Sequence, residues 1–229
     1  MPSQGSQVEQ SCNRLSNLMG DRMFGPQDYS KLFNWDIKPT ITAAYMKRVL
    51  ECVNEACPES SGRQRLDSHQ LIFLPKGFSV ATVASLMVRF PNKALFSLRA
   101  RPDSYATGAL EDAWYIISPR TVQPYDLNPN YTPGQEIRSR YPGYETAPLP
   151  VVLAARLFQH IKSESNGYQP VLKGPTDFVL ARRSFGVSPY CLNEVTTDRS
   201  LLHIRPFQVV QEDEVRKNAE SGLCLRIVP

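Results

Sequence analysis

Seven of the chain's 19 prolines fall between Pro119 and Pro150, with two glycines and four of its ten tyrosines. Proline cannot donate to a sheet ladder and it breaks helix interiors, so this stretch resists regular structure. Loops longer than about 12–15 residues are uncommon inside a compact domain. The stretch is therefore an ordered functional loop or a linker. Whatever is regular in the fold must be built from the residues on either side of it.

Those flanking residues carry clear patterns. On the N-terminal side, Ile41, Tyr45, Val49 and Cys52 or Val53 recur at three- or four-residue steps, which predicts a helix that starts at Pro39 and ends by Pro58. An apolar strand is expected over 70–74. Pro75-Lys76-Gly77 turns it, and Ser79 can cap a helix running to about Phe90. A second strand is expected over 94–98, making a compact parallel crossover. Continuous apolar character over 113–117 predicts a central strand. Beyond the Pro/Tyr segment, a helix over 148–163 is apolar nearly all round and so buried on most sides. Strands then follow over 177–181, 190–195, 201–205, 207–210 and 223–228, with turn residues between them that predict an antiparallel meander. The fold class is α+β: a mixed sheet with packed helices and a C-terminal antiparallel meander. Residues 1–20, rich in Ser, Gln and Asn, read as a mobile polar tail. Residues 21–229 read as a single domain with the Pro/Tyr-rich loop at about 119–150.

Composition excludes several classes. With 41% hydrophobic and 21% charged residues, the chain is neither wholesale disordered nor a coiled coil. The longest apolar run, near Leu149 to Phe158, is shorter than the ~20 residues of a membrane span. No membrane partner is expected. The N-terminus lacks a basic region followed by an apolar core, so it is not a Sec signal peptide and the protein reads as cytoplasmic where made. Export by a specialised secretion system would leave no hydrophobic peptide to see.

Twenty-six basic against 22 acidic residues give +4. Arginine supplies 18 of the bases, and its planar fork suits carboxylates and phosphates. Lys76, Arg89, Lys93, Arg99 and Arg101 lie between Ser68 and Pro102 with no acid among them. This is either a surface for an anionic partner or an ordinary solvated face.

Five irregularly spaced cysteines and three scattered histidines give no metal-ligand spacing, so no metal is expected. Free thiols fit a reducing compartment. There is no GxxxxGK[ST], GxGxxG, GxSxG or HExxH, and no cofactor is expected. The Pro75-Lys76-Gly77 turn could offer amides to an anion, although one glycine is a weak signal and an ordinary connecting turn is the simpler account. Cys191 with His203 or His160 and an acid such as Asp177 could support thiol–imidazole hydrolysis. Any chain of this size supplies such triples by chance.

Three pieces of the chain resemble a family of uncharacterised proteins of chlamydia-like intracellular bacteria. They are His69-Gln70-Leu71-Ile72-Phe73-Leu74-Pro75 with the helix after it, the Trp strand from Ala113 to Arg120, and Tyr141-Pro142-Gly143-Tyr144-Glu145 leading into the buried helix. The resemblance covers about residues 39–210. It implies no activity and transfers no functional residue. Because such organisms deliver effectors into host cells, it points toward an interaction role.

The leading expectation is a non-enzymatic binding protein. Tyr125, Tyr131, Tyr141 and Tyr144 of the loop would form the contact surface with Arg99, Arg101, Arg138 and Arg140. Tyrosine gives contact area and a polar handle at low entropy cost, and proline lowers the freedom lost on docking. A protein partner fits best. The same residues could stack and neutralise a single-stranded nucleic acid, although no recognised motif supports that. A loop wrapped on its own core, rings inward, would explain the tyrosines without any partner.

Overall fold

The structure, a computed structural model, describes residues 4–37, 41–58, 61–89, 112–122, 139–147, 149–165, 177–182, 190–198, 201–206 and 219–227. In chain order these form α1 (Gln4–Met19), a 3-10 turn (Gly20–Arg22), β1 (Met23–Phe24), α2 (Pro26–Phe33) and α3 (Ala43–Asn54). A second 3-10 turn (Arg65–Asp67), β2 (Gln70–Leu74), α4 (Val80–Arg89), β3 (Ala113–Val122), β4 (Glu145–Thr146) and α5 (Leu149–Ser165) follow. The chain closes with β5 (Asp177–Arg182), β6 (Tyr190–Asp198), β7 (Leu201–Pro206) and β8 (Ala219–Ile227).

The strands make one mixed sheet in the order β1-β2-β3-β8-β5-β6-β7, with β4 beside β8. Leu71 to Leu74 are all buried, and so are Ala113 to Ile116. Side chains on a strand alternate between faces. Four consecutive buried residues therefore mean that both faces of the sheet are covered at its centre. On one face Phe24 of β1 stacks on Phe158 of α5, with centroids 3.6 Å apart. Lys162 of α5 ties down the same corner: its ammonium lies 3.3 Å from Asp28 of α2 and donates to the Met23 carbonyl. The fold is α+β, as the patterning predicts, with β3 central.

Several details differ from the sequence expectation. Residues 4–19 are a helix, not a mobile tail. Val8, Cys12, Leu15 and Met19 recur every three or four residues, and Leu15 is fully buried with Met19 2% exposed. The many Gln and Ser residues occupy the other face of α1 and hide this stripe. α3 begins at Ala43 rather than Pro39, because Thr42 is its cap: the Thr42 hydroxyl accepts from the Tyr45 amide at 3.2 Å. Ser79 caps α4 as expected, accepting from the Thr82 amide.

β2 pairs with β1 in parallel and with β3 antiparallel. The strand expected over 94–98 lies outside the described residues, as does that over 207–210. β5, β6 and β7 pair as an antiparallel meander. The last strand leaves it. β8 runs parallel to β5 and antiparallel to β3, joining the two halves of the sheet. Among the described residues no helix is long and apolar enough to cross a membrane.

Candidate functional site

β3 continues past Pro119 to Val122, so the Pro/Tyr segment starts as sheet. The register shifts between Ile117 and Thr121, at the proline that has no N–H for the ladder. The segment ends as sheet too. Cys224 of β8 pairs with Ile117 of β3 and with Glu145 of β4. One residue paired to two strands has them on opposite edges. β3, which ends at Val122, and β4, which begins at Glu145, therefore lie on opposite edges of β8.

The β4 end of the segment is fastened by Tyr144, which is 1% exposed and packs on Leu223 of β8, with Tyr141 and Leu225 alongside. Gly143 makes this approach feasible. Its φ is +84°, and a Cβ there would sit 3.1 Å from a Leu225 methyl.

Polar chemistry holds the Tyr144 hydroxyl. Arg65 Nε donates to it at 3.0 Å, and it is 2.9 Å from His69 Nε2. The Arg65 guanidinium also lies over the phenol ring, 5.4 Å from its centroid. His69 Nδ1 is 3.0 Å from the Ser68 hydroxyl. The chain continues outward from Arg65: Nη1 donates to the Cys52 carbonyl at 3.0 Å and to Glu55 at 2.6 Å. Arg65 and His69 are both buried, while Glu55 reaches solvent. Burial opposes the charge on Arg65, but Tyr144 and Glu55 more than offset it and leave the guanidinium pKa raised.

The local sequence explains this placement. His69 precedes β2 and shares the strand face of Leu71 and Phe73 by alternation, so it points inward. The 3-10 turn carries Arg65 back under α3, with the His69 amide donating to the Arg65 carbonyl at 2.9 Å. Gln64 and Asp67 close that turn, the Gln64 amide donating to the Asp67 carboxylate at 2.9 Å. In the sequence His69 is one of three scattered histidines, and nothing local marks Arg65. The missed signal is continuity: His69 directly precedes an apolar run that is covered on both faces, which carries it into the interior.

The expected contact residues divide into three sets. Tyr144 is corrected from a contact residue to an inward anchor, because its hydroxyl has partners inside and its ring has Leu223. Tyr141 is half-buried against the same cluster, and Arg140 is exposed beside it. Tyr125, Tyr131, Arg138, Arg99 and Arg101 lie outside the described residues.

The pairing does not bring Cys191 and His203 together. His203 of β7 is opposite Thr196 of β6, five positions from Cys191. At ~3.3 Å per strand residue that is about 16 Å of backbone. Three other thiols are made less acidic, not more. Burial and Glu9 push Cys12 up to about 11. Burial, with Glu55 for Cys52 and Glu145 for Cys224, raises the other two. These are the opposite of an activated thiolate.

The Pro75-Lys76-Gly77 turn already has its anion: the Lys76 amide donates to the Asp112 carboxylate at 2.6 Å.

No family model, curated protein or solved structure matches the chain.

Proposed function

We propose that the chain is a non-enzymatic binding protein that engages a protein partner through the Pro/Tyr segment and nearby arginines. The observation that carries this reading is the anchorage of Tyr144. Val122 is in register with Ser221 of β8, and Tyr144 packs on Leu223 two residues further on. The two ends of the intervening segment are thus held close together on one rigid strand. Holding the ends lowers the ordering cost that a long connection meets on docking. Ser139, Arg140, Pro142 and Gly143 are exposed beside the anchor and extend the surface. Arg99, Arg101 and Arg138 would favour an acidic partner, since Arg suits carboxylates.

A thermal-shift panel of nucleotides, divalent metals, sugars, oligonucleotides and acidic peptides tests the reading. A ligand at 100 times its dissociation constant adds about 2.7 kcal/mol, which moves the midpoint by several degrees. Only the acidic peptides should do so. A shift with nucleotides, metals or sugars would overturn the reading in favour of an enzyme. A salt-sensitive shift with oligonucleotides would replace the protein partner with a single strand.

A further inference from the structure

Lys76 heads the run of bases without acids between Ser68 and Pro102, and the fold sets two distant arginines near it. Tyr45 makes the junction. Its hydroxyl accepts from the Trp114 amide of β3 at 2.9 Å and donates to the Ile227 carbonyl of β8. That pins α3 to both strands at one end of the sheet. Arg48 is one turn along α3 from Tyr45, a neighbour on the helix surface. Arg226 directly precedes Ile227, and Asp112 lies two residues before Trp114. The Asp112 carboxylate accepts from the Lys76 amide, which brings in the end of β2. β2 and β8 flank β3, so they stand two strand spacings apart, about 10 Å. The charges of Arg226, Asp112 and Arg48 all act on the Tyr45 phenol.

Arg48, Lys76 and Arg226 are exposed. The acids beside them are drawn further in. Asp112 is half-buried and holds the Lys76 amide. Glu145, opposite Cys224 on the sheet face that Arg226 shares, is half-buried too. Glu51, a turn beyond Arg48, lies 3.8 Å from Lys47. Among the described residues, this end of the sheet therefore turns mainly positive charge to solvent. Cations from three elements on one rigid base attract and steer a multiply charged anion.

The surroundings favour carboxylates over nucleic acid. Single strands bind by stacking bases on accessible rings, and the three aromatic residues at this end, Tyr45, Trp114 and Tyr115, are buried. Arginine forks suit carboxylates.

We propose that Arg48, Lys76 and Arg226 form a cationic docking surface for a run of carboxylates on a protein partner. The proposal rests on the acidic partner inferred above but not on the Pro/Tyr segment, so the two fail separately.

The test measures binding of a labelled octaglutamate peptide to the full chain by fluorescence anisotropy. Replacing Arg48→Gln, Lys76→Gln and Arg226→Gln together should weaken binding about tenfold, the effect of about 1.4 kcal/mol from three exposed ion pairs. Arg14→Gln, Lys31→Gln and Arg63→Gln remove the same charge from exposed positions on other elements and should change it by less than about twofold. An unchanged affinity in the first variant, or equal losses in both, would overturn the proposal. Should the first variant melt below the natural chain, Arg48→Gln with Lys76→Gln decides, with a loss of about fivefold expected and none overturning it. Binding abolished by a linker in place of 124–138 but untouched by the first variant would overturn this surface and keep the Pro/Tyr reading. No binding by the natural chain would overturn this surface and the acidic partner together. Tighter binding of a single-stranded DNA oligonucleotide than of the peptide, lost in the first variant, would overturn it in favour of a nucleic acid.

Discussion

Replacing Tyr144 with phenylalanine removes one oxygen and leaves the ring. The packing on Leu223 and the stacking of Arg65 survive, so the loss reports the hydroxyl alone. That oxygen serves Arg65 Nε at 3.0 Å and His69 Nε2 at 2.9 Å, where Arg65 is 5% exposed and His69 fully buried. An orphaned buried polar group costs about 1–3 kcal/mol. Arg65 keeps two other acceptors, which places its share at the low end. The two together amount to about 3 kcal/mol by the same scale, a large part of the 5–15 kcal/mol that holds a typical domain folded. For a chain of this length the midpoint should fall roughly 6–12 °C. Urea denaturation gives the free energy, and hydrogen exchange shows whether residues 139–147 loosen first. Adding Arg65→Met to Tyr144→Phe should cost less than the sum of the two single changes, because both ends of one bond are then gone. A loss below about 0.5 kcal/mol, the ordinary range of a surface change, would refute the closed buried chain described above.

Three further outcomes follow from the same packing. Leu15→Ala in α1 should cost about 2–5 kcal/mol in urea denaturation, whereas a mobile tail would give no change. Tyr45 donates to the Ile227 carbonyl and accepts from the Trp114 amide, and burial pushes its phenol up to about 12. An unfolded tyrosine ionises near pH 10. Unfolding therefore releases a proton between the two values, so this stability is intact below pH 10 and lost as pH rises toward 12. Denaturation measured across that window should show the fall, and Tyr45→Phe should make it shallower, with Tyr29 and Tyr115, whose phenols burial also raises, supplying the rest; an unaltered slope in the variant would remove Tyr45 as a cause. Cys12 and Cys224 should react with a thiol reagent at pH 7.5 only as fast as the protein unfolds, and Cys52 sooner. Prompt labelling of Cys224 would contradict its burial in the sheet.

Local pattern made part of the fold legible. Leu71 to Leu74 and Ala113 to Ile116 are continuous apolar runs, and a sheet covered on both faces is what such runs require. The all-round apolar character of α5 announced a buried helix. The α1 stripe was equally present in the residues, but Gln and Ser dominate that segment and its composition outweighed its periodicity. What no window of sequence reveals is partnership over distance. β8 lies between β3 and β5 because its pairings reach strands about 100 and about 40 residues earlier. The same holds for the site. Tyr141 and Tyr144 look alike in the loop, and only Arg65 and His69, some 75 residues away, make one of them an anchor. Cys191 and His203 look like a reactive pair until register separates them.

The most direct test of the binding account replaces residues 124–138 with a Gly/Ser linker of equal length and leaves Tyr144 in place. Both proteins are first shown to melt at the same temperature. Each is then used for quantitative affinity capture from lysates of cells that carry the protein. The account predicts partners recovered with the natural segment and lost with the linker. The same partners at the same yield from both would contradict it.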